Sequence, residues 1–577
     1  MDKIDLPQHS HINVDGVTFF SNFDSGNLAR AVRTGIGQYE IWIAADAAQR
    51  GHNSYRVWFN FGIRGLRKGT LLKLTIMNMS NIRILASQNY RPVWRAIPEQ
   101  TQWQRILTEC SYENNFATLF KLSWTMEYTY ENSDLYFAFA PPYPYSEIMK
   151  TIDFFENVCP ADSLFYRETL VRSLDNLNVE VITISNRENF QNQREEKIPY
   201  LFPSQMPRSF KAKKPIIFIS ARVHPGETPG SFILDGFLQA LLSQDIRGFM
   251  LRKNYVFKII PVLNPDGVRR GHFRVDQNAV NLNRCYESPS FVDQPTIYAA
   301  KVYFEYLHKE GGIDIYLDFH AHNSKRGCFV YGNCLPPEKQ IENELFAKII
   351  ELNSPFFDFN ECDFSEKSMT SKDPKDHFNK EGSGRVAFYK TAGIICSYTV
   401  ECAYNVPIPL HTVSPLVNVK TGRRLSESIN YILTPDSIDL YNRAFFNDIG
   451  SAVAFTILDY TNINPITRIP TSEFKNLEAI KAYLEVRQHL PSKGKAPVRR
   501  SLSRNDPKVK QLESKIIPQK LAGIAKRQIH KMKIVSPMFS DRNATSVGAI
   551  RSKKRLGLLL HRGKPNNADM QIALGNK

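Results

Sequence analysis

Several features that would assign this chain of 577 residues to a common class are missing. No stretch approaches the roughly 18 consecutive apolar residues of a membrane helix, so the sequence predicts no membrane association. The first residues lack the positive-then-apolar order of a secretory signal. The eight cysteines form no CxxC pair, which favours free thiols in a reducing compartment over a disulfide framework. We therefore expect a cytoplasmic protein.

Most of the chain also carries no net charge. Residues 1–490 carry 53 basic and 53 acidic side chains, whereas residues 491–577 carry 21 Lys and Arg against four acids. The net charge of +17 therefore belongs wholly to the C-terminal segment. We expect this segment to attract polyanions such as acidic protein tails, and we expect nucleic acid to bind only there. Its basic run at 551–555 is also typical of a nuclear-import patch, and a plain solubilising tail is the alternative.

Hydrophobic patterning predicts two folded domains. Residues 1–150 contain alternating or continuous apolar runs without a helical period, which predicts an N-terminal β-sandwich domain. From 151 to 478, short apolar strands alternate with helices, which predicts an α/β catalytic domain with a mixed, largely parallel sheet. Residues 479–577 are rich in Lys, Arg, Ser, Pro and Asn. This composition predicts a basic, mostly disordered tail.

Two motifs at the ends of predicted strands carry residues of the kinds that bind metals. One is His224-Pro-Gly-Glu227 and the other is Asp318-Phe-His-Ala-His322. Strand alternation turns His320 to the same side as its neighbours two residues away. A catalytic zinc site often uses two His and one Glu, and the chain has no HExxH motif that would offer another layout. We predict one Zn²⁺ per chain at His224, Glu227 and His320.

A third apolar strand, Ser397-Tyr-Thr-Val-Glu401, ends in a carboxylate. A glutamate held at a strand end beside a metal-bound water suits a general base. Taken alone, Glu401 would be read as a surface glutamate. In sheets of this kind ligands bind just beyond the carboxyl ends of the strands, so we expect Glu401 to meet the metal-binding residues.

The ordered set of motifs resembles the zinc metallocarboxypeptidases. The set consists of the metal motifs, Asn-Pro-Asp-Gly at 264–267, Asn283-Arg284 and Glu401. The sequences of segments 222–229, 280–284 and 397–402, together with the preceding β domain, are similar to those of the cytosolic carboxypeptidase family. Further segments are most similar to the type-5 branch: 23–28, 324–329, 364–367 and 380–386. The resemblance spans about residues 17–475 and leaves out the tail.

The resemblance implies roles for five further side chains. Glu401 would move the proton, and Arg274 would stabilise the oxyanion as a cationic donor. Asn283 and Arg284 would bind the terminal carboxylate of the substrate, for which an arginine fork is well shaped. Arg385 is our candidate for the γ-carboxylate of a substrate glutamate, with a solvated salt bridge as the alternative. Each arginine taken alone would be read as a surface charge.

Two further features bear on the site. Many metallocarboxypeptidases carry an Asp two residues before the Asn-Arg pair, hydrogen-bonded to the first zinc histidine, but this chain has Asn281. An uncharged partner would hold the metal somewhat differently, and the type-5 branch shares it, so loss of activity is not implied. Lys325 and Arg326 are candidates for attracting neighbouring glutamates, although a solvated salt bridge is the alternative that their pattern favours.

The resemblance implies a zinc carboxypeptidase that removes glutamates, including branch-point glutamates, from polyglutamylated proteins such as tubulin. It also implies a cytoplasmic, microtubule-associated location. One alternative is a zinc acylase that acts on small N-acyl amino acids, although the large β domain favours a protein substrate. Another alternative is a binding protein with an inactive site, which the presence of all three metal ligands and Glu401 disfavours.

Overall fold

The structure is a computed structural model. It describes residues 11–47, 55–80, 90–115, 119–322, 325, 327–372, 378–404, 409–425 and 444–488. The chain divides into two units, Met1–Ser492 and Lys493–Lys577. Arg326 and the whole of the predicted tail after residue 488, with its expected disorder, lie outside the described residues.

The N-terminal domain is a β-sandwich, as predicted. Among the residues described, one sheet has the strand order β1-β2-β5-β11-β7-β8 and the other has the order β3-β4-β6-β10-β9. The strands are β1 (His11–Val14), β2 (Val17–Phe20), β3 (Arg30–Gly35), β4 (Gln38–Trp42), β5 (Asn60–Arg64), β6 (Thr70–Ser80), β7 (Val93–Ile97), β8 (Gln100–Arg105), β9 (Ser111–Asn115), β10 (Leu119–Tyr128) and β11 (Asp134–Ala138).

Alternation along the strands builds the core between the two sheets. In β6, Leu72, Leu74 and Ile76 point inward and are almost fully buried. They pack in one apolar cluster with residues of the facing sheet, such as Phe61 on β5 and Phe137 on β11. The two sheets therefore share a single hydrophobic core.

The second domain is built on a mixed sheet. Among the described residues its order is β12-β13-β17-β16-β18-β20-β19. The strands of this domain are β12 (Ser163–Arg172), β13 (Asn178–Asn186), β14 (Phe190–Arg194), β15 (Phe210–Ala212), β16 (Ile216–Ala221), β17 (Val256–Ile260), β18 (Ile313–His322), β19 (Cys328–Tyr331), β20 (Cys396–Ala403), β21 (Val417–Asn418) and β22 (Ile466–Thr467). The four central strands β17, β16, β18 and β20 are parallel, and the outer strands pair antiparallel. The sheet is mixed, and the expected parallel character holds at its centre.

Helices cover both faces of this sheet. They are α1 (Tyr145–Asn157), α2 (Thr228–Leu242), α3 (Ile246–Asn254), α4 (Pro265–Arg269), α5 (Pro295–Gly311), α6 (Pro337–Asn353), α7 (Glu366–Thr370), α8 (Gly384–Ala392), α9 (Ala444–Tyr460) and α10 (Leu477–Gln488). In β16, Ile217 and Ile219 pack into one apolar cluster, while Ile216 and Phe218 pack into the other. A strand that is buried on both faces is mainly apolar, which explains the apolar run from Ile216 to Ile219.

Two predicted domain boundaries differ from the structure. Helix α1 already carries Ile148, Ile152 and Phe155 into the catalytic-domain core, so this domain begins before residue 151. The predicted start of the tail at 479 is wrong, because α10 continues through it and buries Ile480 and Leu484. The basic composition that suggested a tail begins only after this helix.

Across the residues described, no helix combines the length and apolar character required to span a bilayer.

Candidate active site

The predicted metal ligands come together at the carboxyl ends of two neighbouring central strands. His224 and Glu227 lie in the loop between β16 and α2, and His320 lies near the end of β18. One donor atom from each residue lies within 4.8 Å of the others, and all three side chains are buried. Oε1 of Glu227 lies 2.9 Å from Nδ1 of His224, and its Oε2 lies 2.9 Å from Nδ1 of His320.

The outer hydrogen bonds of the two histidines fix which nitrogen faces this centre. Nε2 of His224 lies 3.1 Å from Oδ1 of Asn281, which also accepts the backbone N–H of Asn283. Since Oδ1 is an acceptor, Nε2 donates to it and Nδ1 presents its lone pair to Glu227. Nε2 of His320 likewise donates to Oδ2 of Asp318 at 2.8 Å. With Nε2 of each ring bonded outward, the two Nδ1 atoms and the Glu227 carboxylate face one point, as the ligands of a cation do.

Burial and the contacts between histidines and carboxylates shift the pKa values of these three residues in opposite directions. Burial lowers the pKa of His224 to about 4, so this ring stays neutral at pH 7. Against the effect of burial, Asp318 and Glu227 raise the pKa of His320 well above its usual value. Against burial as well, the two histidines hold the pKa of Glu227 well below its usual value. A zinc ion would satisfy this site, because two imidazole nitrogens and a carboxylate are a common zinc donor set.

Asp318 is itself held in place by a short chain of hydroxyl groups. Ser220 on β16 donates to Oδ1 of Asp318 at 2.8 Å, and Tyr316 lies 2.8 Å from the same hydroxyl. Oε2 of Glu227 accepts the backbone N–H of Ala321 at 2.9 Å. These bonds fix the orientation of His320 and Glu227 before any ion binds, which is how the outer partners of metal ligands act.

Glu401 lies beside the metal-binding residues. It is the register partner of His320 on the adjacent parallel strand β20. Its side chain is buried, and Oε2 has no hydrogen-bond partner among the described residues. Burial raises the pKa of Glu401 to about 7, although His320 and Arg274 oppose the rise. A carboxylate with a pKa near neutrality can both take up and release a proton.

All eight predicted site residues line one cavity of about 230 Å³. Its other lining residues are Phe273, Ala321, His322, Tyr331, Ser368, Lys380, Ser383, Thr399 and Tyr404. Among the residues that line it, Arg274, Arg284, Lys380 and Arg385 carry permanent positive charge. The cavity therefore combines a candidate cation site, a buried carboxyl group with a pKa near neutrality and several groups that attract anions.

Comparisons with known proteins agree with this geometry. A family model for the zinc carboxypeptidases matches residues 156–354, and one for the cytosolic carboxypeptidase N-terminal domain matches residues 19–139. Cytosolic carboxypeptidase-like protein 5 of Rattus norvegicus is 34% identical, over 81% of this chain and 71% of the relative. The chain belongs to the cytosolic carboxypeptidase family.

The human relative of the same name is 35% identical over 81% of this chain, and the match spans 66% of its own length. Solved structures of metallo-carboxypeptidases share the fold. The one from Burkholderia cenocepacia has a TM-score of 0.56 and 18% identity, covering 77% of this chain and 99% of that chain. The one from Pseudomonas aeruginosa has a TM-score of 0.53 and 16% identity, with the same coverage.

In this member of the family, Asn281 links the metal site to the predicted carboxylate-binding pair. Its Oδ1 caps the short turn Leu282–Arg284 by accepting the N–H of Asn283, and the same atom accepts from His224. Oδ1 of Asn283 in turn accepts the N–H of Gly384, and Arg284 donates to the carbonyl of Asn283. The uncharged side chain thus makes the bond to the first histidine that the sequence comparison suggested.

Arg385 does not form the solvated salt bridge that was the alternative interpretation of this residue. The side chain is buried at the start of α8 and donates to the carbonyl of Gly332, to Oδ1 of Asn333 at 2.7 Å and to the carbonyl of Ser368 at 3.1 Å. Burial lowers its pKa to about 10, so it remains charged at neutral pH. A buried guanidinium with neutral hydrogen-bond partners is suited to an anionic ligand.

Two other cationic side chains, Lys325 and Lys380, differ in their surroundings. Nζ of Lys325 lies 3.2 Å from a carboxylate oxygen of Glu361 and over the ring of Phe329, so it forms the ion pair that was its alternative. Lys380 lines the cavity but was not among the predicted site residues. The sequence could have indicated Lys380, because this residue begins the segment 380–386 that resembles the type-5 branch.

Asp46 of the β-sandwich is a second contributor that sequence reasoning missed. Its carboxylate accepts the backbone N–H of Arg274 at 2.7 Å. The two residues are 228 positions apart in the chain, so no local pattern connects them.

Proposed function

We propose that this protein is a zinc-dependent carboxypeptidase that removes glutamates, including branch-point glutamates, from polyglutamylated proteins such as tubulin. The observation that supports this function best is the single cavity in which the cation-binding residues, Glu401 and four permanent cations meet. A peptide that ends in glutamate carries one more carboxylate than a peptide that ends in a neutral residue, and the cavity offers matching positive charge. By the same family membership, we expect the protein to act in the cytoplasm.

One Zn²⁺ would be held by His224, Glu227 and His320. When bound, the ion would polarise the scissile carbonyl and lower the pKa of the attacking water. The protein's own side chains carry out proton transfer, charge stabilisation and substrate binding.

Glu401 is the proton carrier in this proposal. It takes a proton from the attacking water and passes it to the nitrogen of the leaving amino acid, as its raised pKa allows. Arg274 stabilises the negative charge that develops on the carbonyl oxygen. The two side chains line the same cavity, so both can reach a carbonyl bound there.

Substrate recognition divides among the remaining cavity residues. Asn283 and Arg284 hold the α-carboxylate of the last residue, which restricts cleavage to chain ends. With Arg274 and Arg284 assigned, Lys380 and Arg385 remain for the γ-carboxylate. A leucine at the same position would leave the buried charge of Arg385 without an anion, which is unfavourable.

The test is mass spectrometry of polyglutamylated tubulin tails after incubation with the full-length protein. We expect stepwise loss of glutamate residues, abolished by a zinc chelator and restored by added zinc. A synthetic tail that ends in leucine and a small N-acyl amino acid serve as parallel substrates. Unchanged tubulin tails together with rapid hydrolysis of the N-acyl amino acid would overturn the proposal in favour of an acylase.

A further inference from the structure

The segment that carries Arg274 has little structure of its own. Between α4 and the turn Leu282–Arg284, residues 270–281 form no regular helix or strand. Backbone N–H groups in such a buried segment need acceptors from elsewhere in the molecule. The position of the Arg274 side chain therefore depends on the group that binds this backbone.

That group is a carboxylate of the β-sandwich. Oδ1 of Asp46 accepts the N–H of Phe273 at 2.8 Å, and Oδ2 accepts those of Arg274 at 2.7 Å and Val275 at 3.3 Å. Asp46 is only 1% exposed. One side chain from the first domain thus binds three consecutive N–H groups of the second, centred on Arg274.

His272 adds a second link between the same two segments. Its Nε2 accepts the N–H of Ala47 at 3.2 Å, so Nδ1 carries the proton and donates to the carbonyl of Val275 at 3.0 Å. Burial lowers the pKa of His272, which keeps this neutral tautomer at pH 7. The imidazole therefore clamps the turn around Arg274 from its other side.

The segment after β4 that supplies Asp46 is itself hydrogen-bonded within the β-sandwich. The amide of Asn27 donates to the carbonyl of Ala44 and accepts its N–H, at 3.1 and 2.9 Å. The N–H of Asp46 donates to the carbonyl of Tyr55 at 2.9 Å. These hydrogen bonds fix the backbone that carries the carboxylate.

The backbone held by Asp46 also contacts the metal-binding loop. The carbonyl of Phe273 accepts the N–H of Gly226, between His224 and Glu227, at 2.8 Å. A side chain on Gly226 would approach the Phe273 ring within 2.5 Å. The Phe273 ring packs edge-on against Phe139 of the β-sandwich at 5.7 Å. The two domains are joined at the catalytic loop itself.

We infer that Asp46 is a positioning residue for catalysis, through which the β-sandwich sets the position of Arg274 for oxyanion stabilisation. This inference depends on the proposed function for the role of Arg274. Removal of the carboxylate leaves three buried N–H groups without their acceptor, and the loop must then move to find others. Loss of alignment of about 1 Å lowers rates about 100-fold.

The test is a double-mutant cycle in the full-length protein with Asp46→Ala, Arg274→Gln and both together. We expect Asp46→Ala to lower kcat about 100-fold with little change in KM, as for loss of a transition-state contact. In the Arg274→Gln background the same change should cost less than about threefold. An equal loss in both backgrounds, or an unchanged kcat in Asp46→Ala, would overturn the inference.

A second measurement does not depend on activity. Amide hydrogen exchange of a peptide containing residues 273–275 should accelerate in Asp46→Ala, while the zinc content stays that of the wild type. Asp134→Asn is the matched control, since this β-sandwich carboxylate pairs with Arg64 at the surface and should change neither kcat nor exchange. Asp46→Asn covers a failure of the alanine variant to fold, because it keeps the shape of the side chain and turns one acceptor into a donor.

The two readouts separate this inference from the proposed function. If the wild type cleaves no glutamate substrate but Asp46→Ala still loosens residues 273–275, the proposed function fails and the structural link stands. If the wild type is active and exchange at 273–275 is unchanged by Asp46→Ala, the inference fails alone.

Discussion

His320 and Glu401 are direct register partners on the adjacent parallel strands β18 and β20. Partners in a parallel pair direct their side chains to the same face of the sheet, so the sheet itself sets the predicted metal ligand beside the predicted proton carrier. The pair lies at the carboxyl ends of the strands, where the cavity opens. The hydrogen-bonded ladder of the sheet therefore sets how close these two side chains lie.

Replacement of Glu401 by Gln should abolish catalysis without loss of the metal. The amide cannot take up a proton, and general-base catalysis contributes about 10²–10⁴-fold to rates, so kcat should fall by that factor. Zinc content, measured by atomic absorption, should stay that of the wild type because Glu401 is not a ligand. Glu361→Gln is the control, since this exposed glutamate pairs with Lys325. Wild-type turnover by Glu401→Gln would contradict the assignment.

Two changes around the histidines should shift zinc affinity in opposite directions. Asn281→Asp gives His224 a charged partner and should tighten zinc binding about tenfold, whereas Asp318→Asn removes the charge beside His320 and should weaken it about 10–100-fold. Competition with a fluorescent chelator measures both affinities. A shift of both variants in the same direction would show that partner charge does not set the affinity.

Arg385 should determine the preference for glutamate. Arg385→Gln removes the buried charge, and we expect the ratio of kcat/KM for peptides ending in glutamate and in leucine to fall at least about tenfold. Lys325→Gln should leave this ratio unchanged, since Lys325 pairs with Glu361. Circular dichroism checks folding, because Arg385 also donates to three neutral groups of the protein. An unchanged ratio in a folded Arg385→Gln variant would remove Arg385 from the pocket.

Asp276 should make stability fall as the pH rises from about 4 to about 6. Burial raises its pKa from 3.8 to about 6, so the folded state holds a proton that the unfolded state has lost, and stability decreases with pH in this window. The contribution is at most about 3 kcal/mol. Asp276→Asn keeps the acceptor Oδ1 for the N–H groups of Asn278 and Val280 and should remove this slope.

The measurement for Asp276 is the urea midpoint of wild type and Asp276→Asn at each pH in the same buffers. Because only the difference between the two proteins is used, the pH dependence of zinc binding cancels. A difference that stays constant between pH 4 and 6 would contradict the raised pKa.

The basic segment after residue 490 should bind acidic tubulin tails. Full-length protein should co-sediment with microtubules at low salt and dissociate as salt screens its charge, whereas residues 1–490 should bind at least about tenfold more weakly. Microtubules stripped of their acidic tails by protease are the matched control. Equal binding by both forms of the protein would exclude the segment as the contact, and competition by RNA would show binding to any polyanion.

Much of the site could be predicted from the sequence because its signals are local. The His-x-x-Glu spacing of His224 and Glu227 fits one loop, and the period of two along a strand sends Asp318 and His320 to one side. Apolar strands that end in polar residues place those residues at one edge of a parallel sheet. The order of the motifs then led to the family, and with it to Arg274 and Arg284, whereas the β-sandwich followed from apolar runs without a helical period.

The tertiary structure alone decided how these pieces work together. The sheet order puts Glu401 beside His320, folding buries Arg385 among neutral oxygens, and Asp46 reaches Arg274 across 228 residues of sequence. Local periodicity carries no information on such contacts, because they depend on how distant segments pack. The sequence by itself predicted which residues form the site, and packing within the catalytic domain and against the β-sandwich determined what holds them in position.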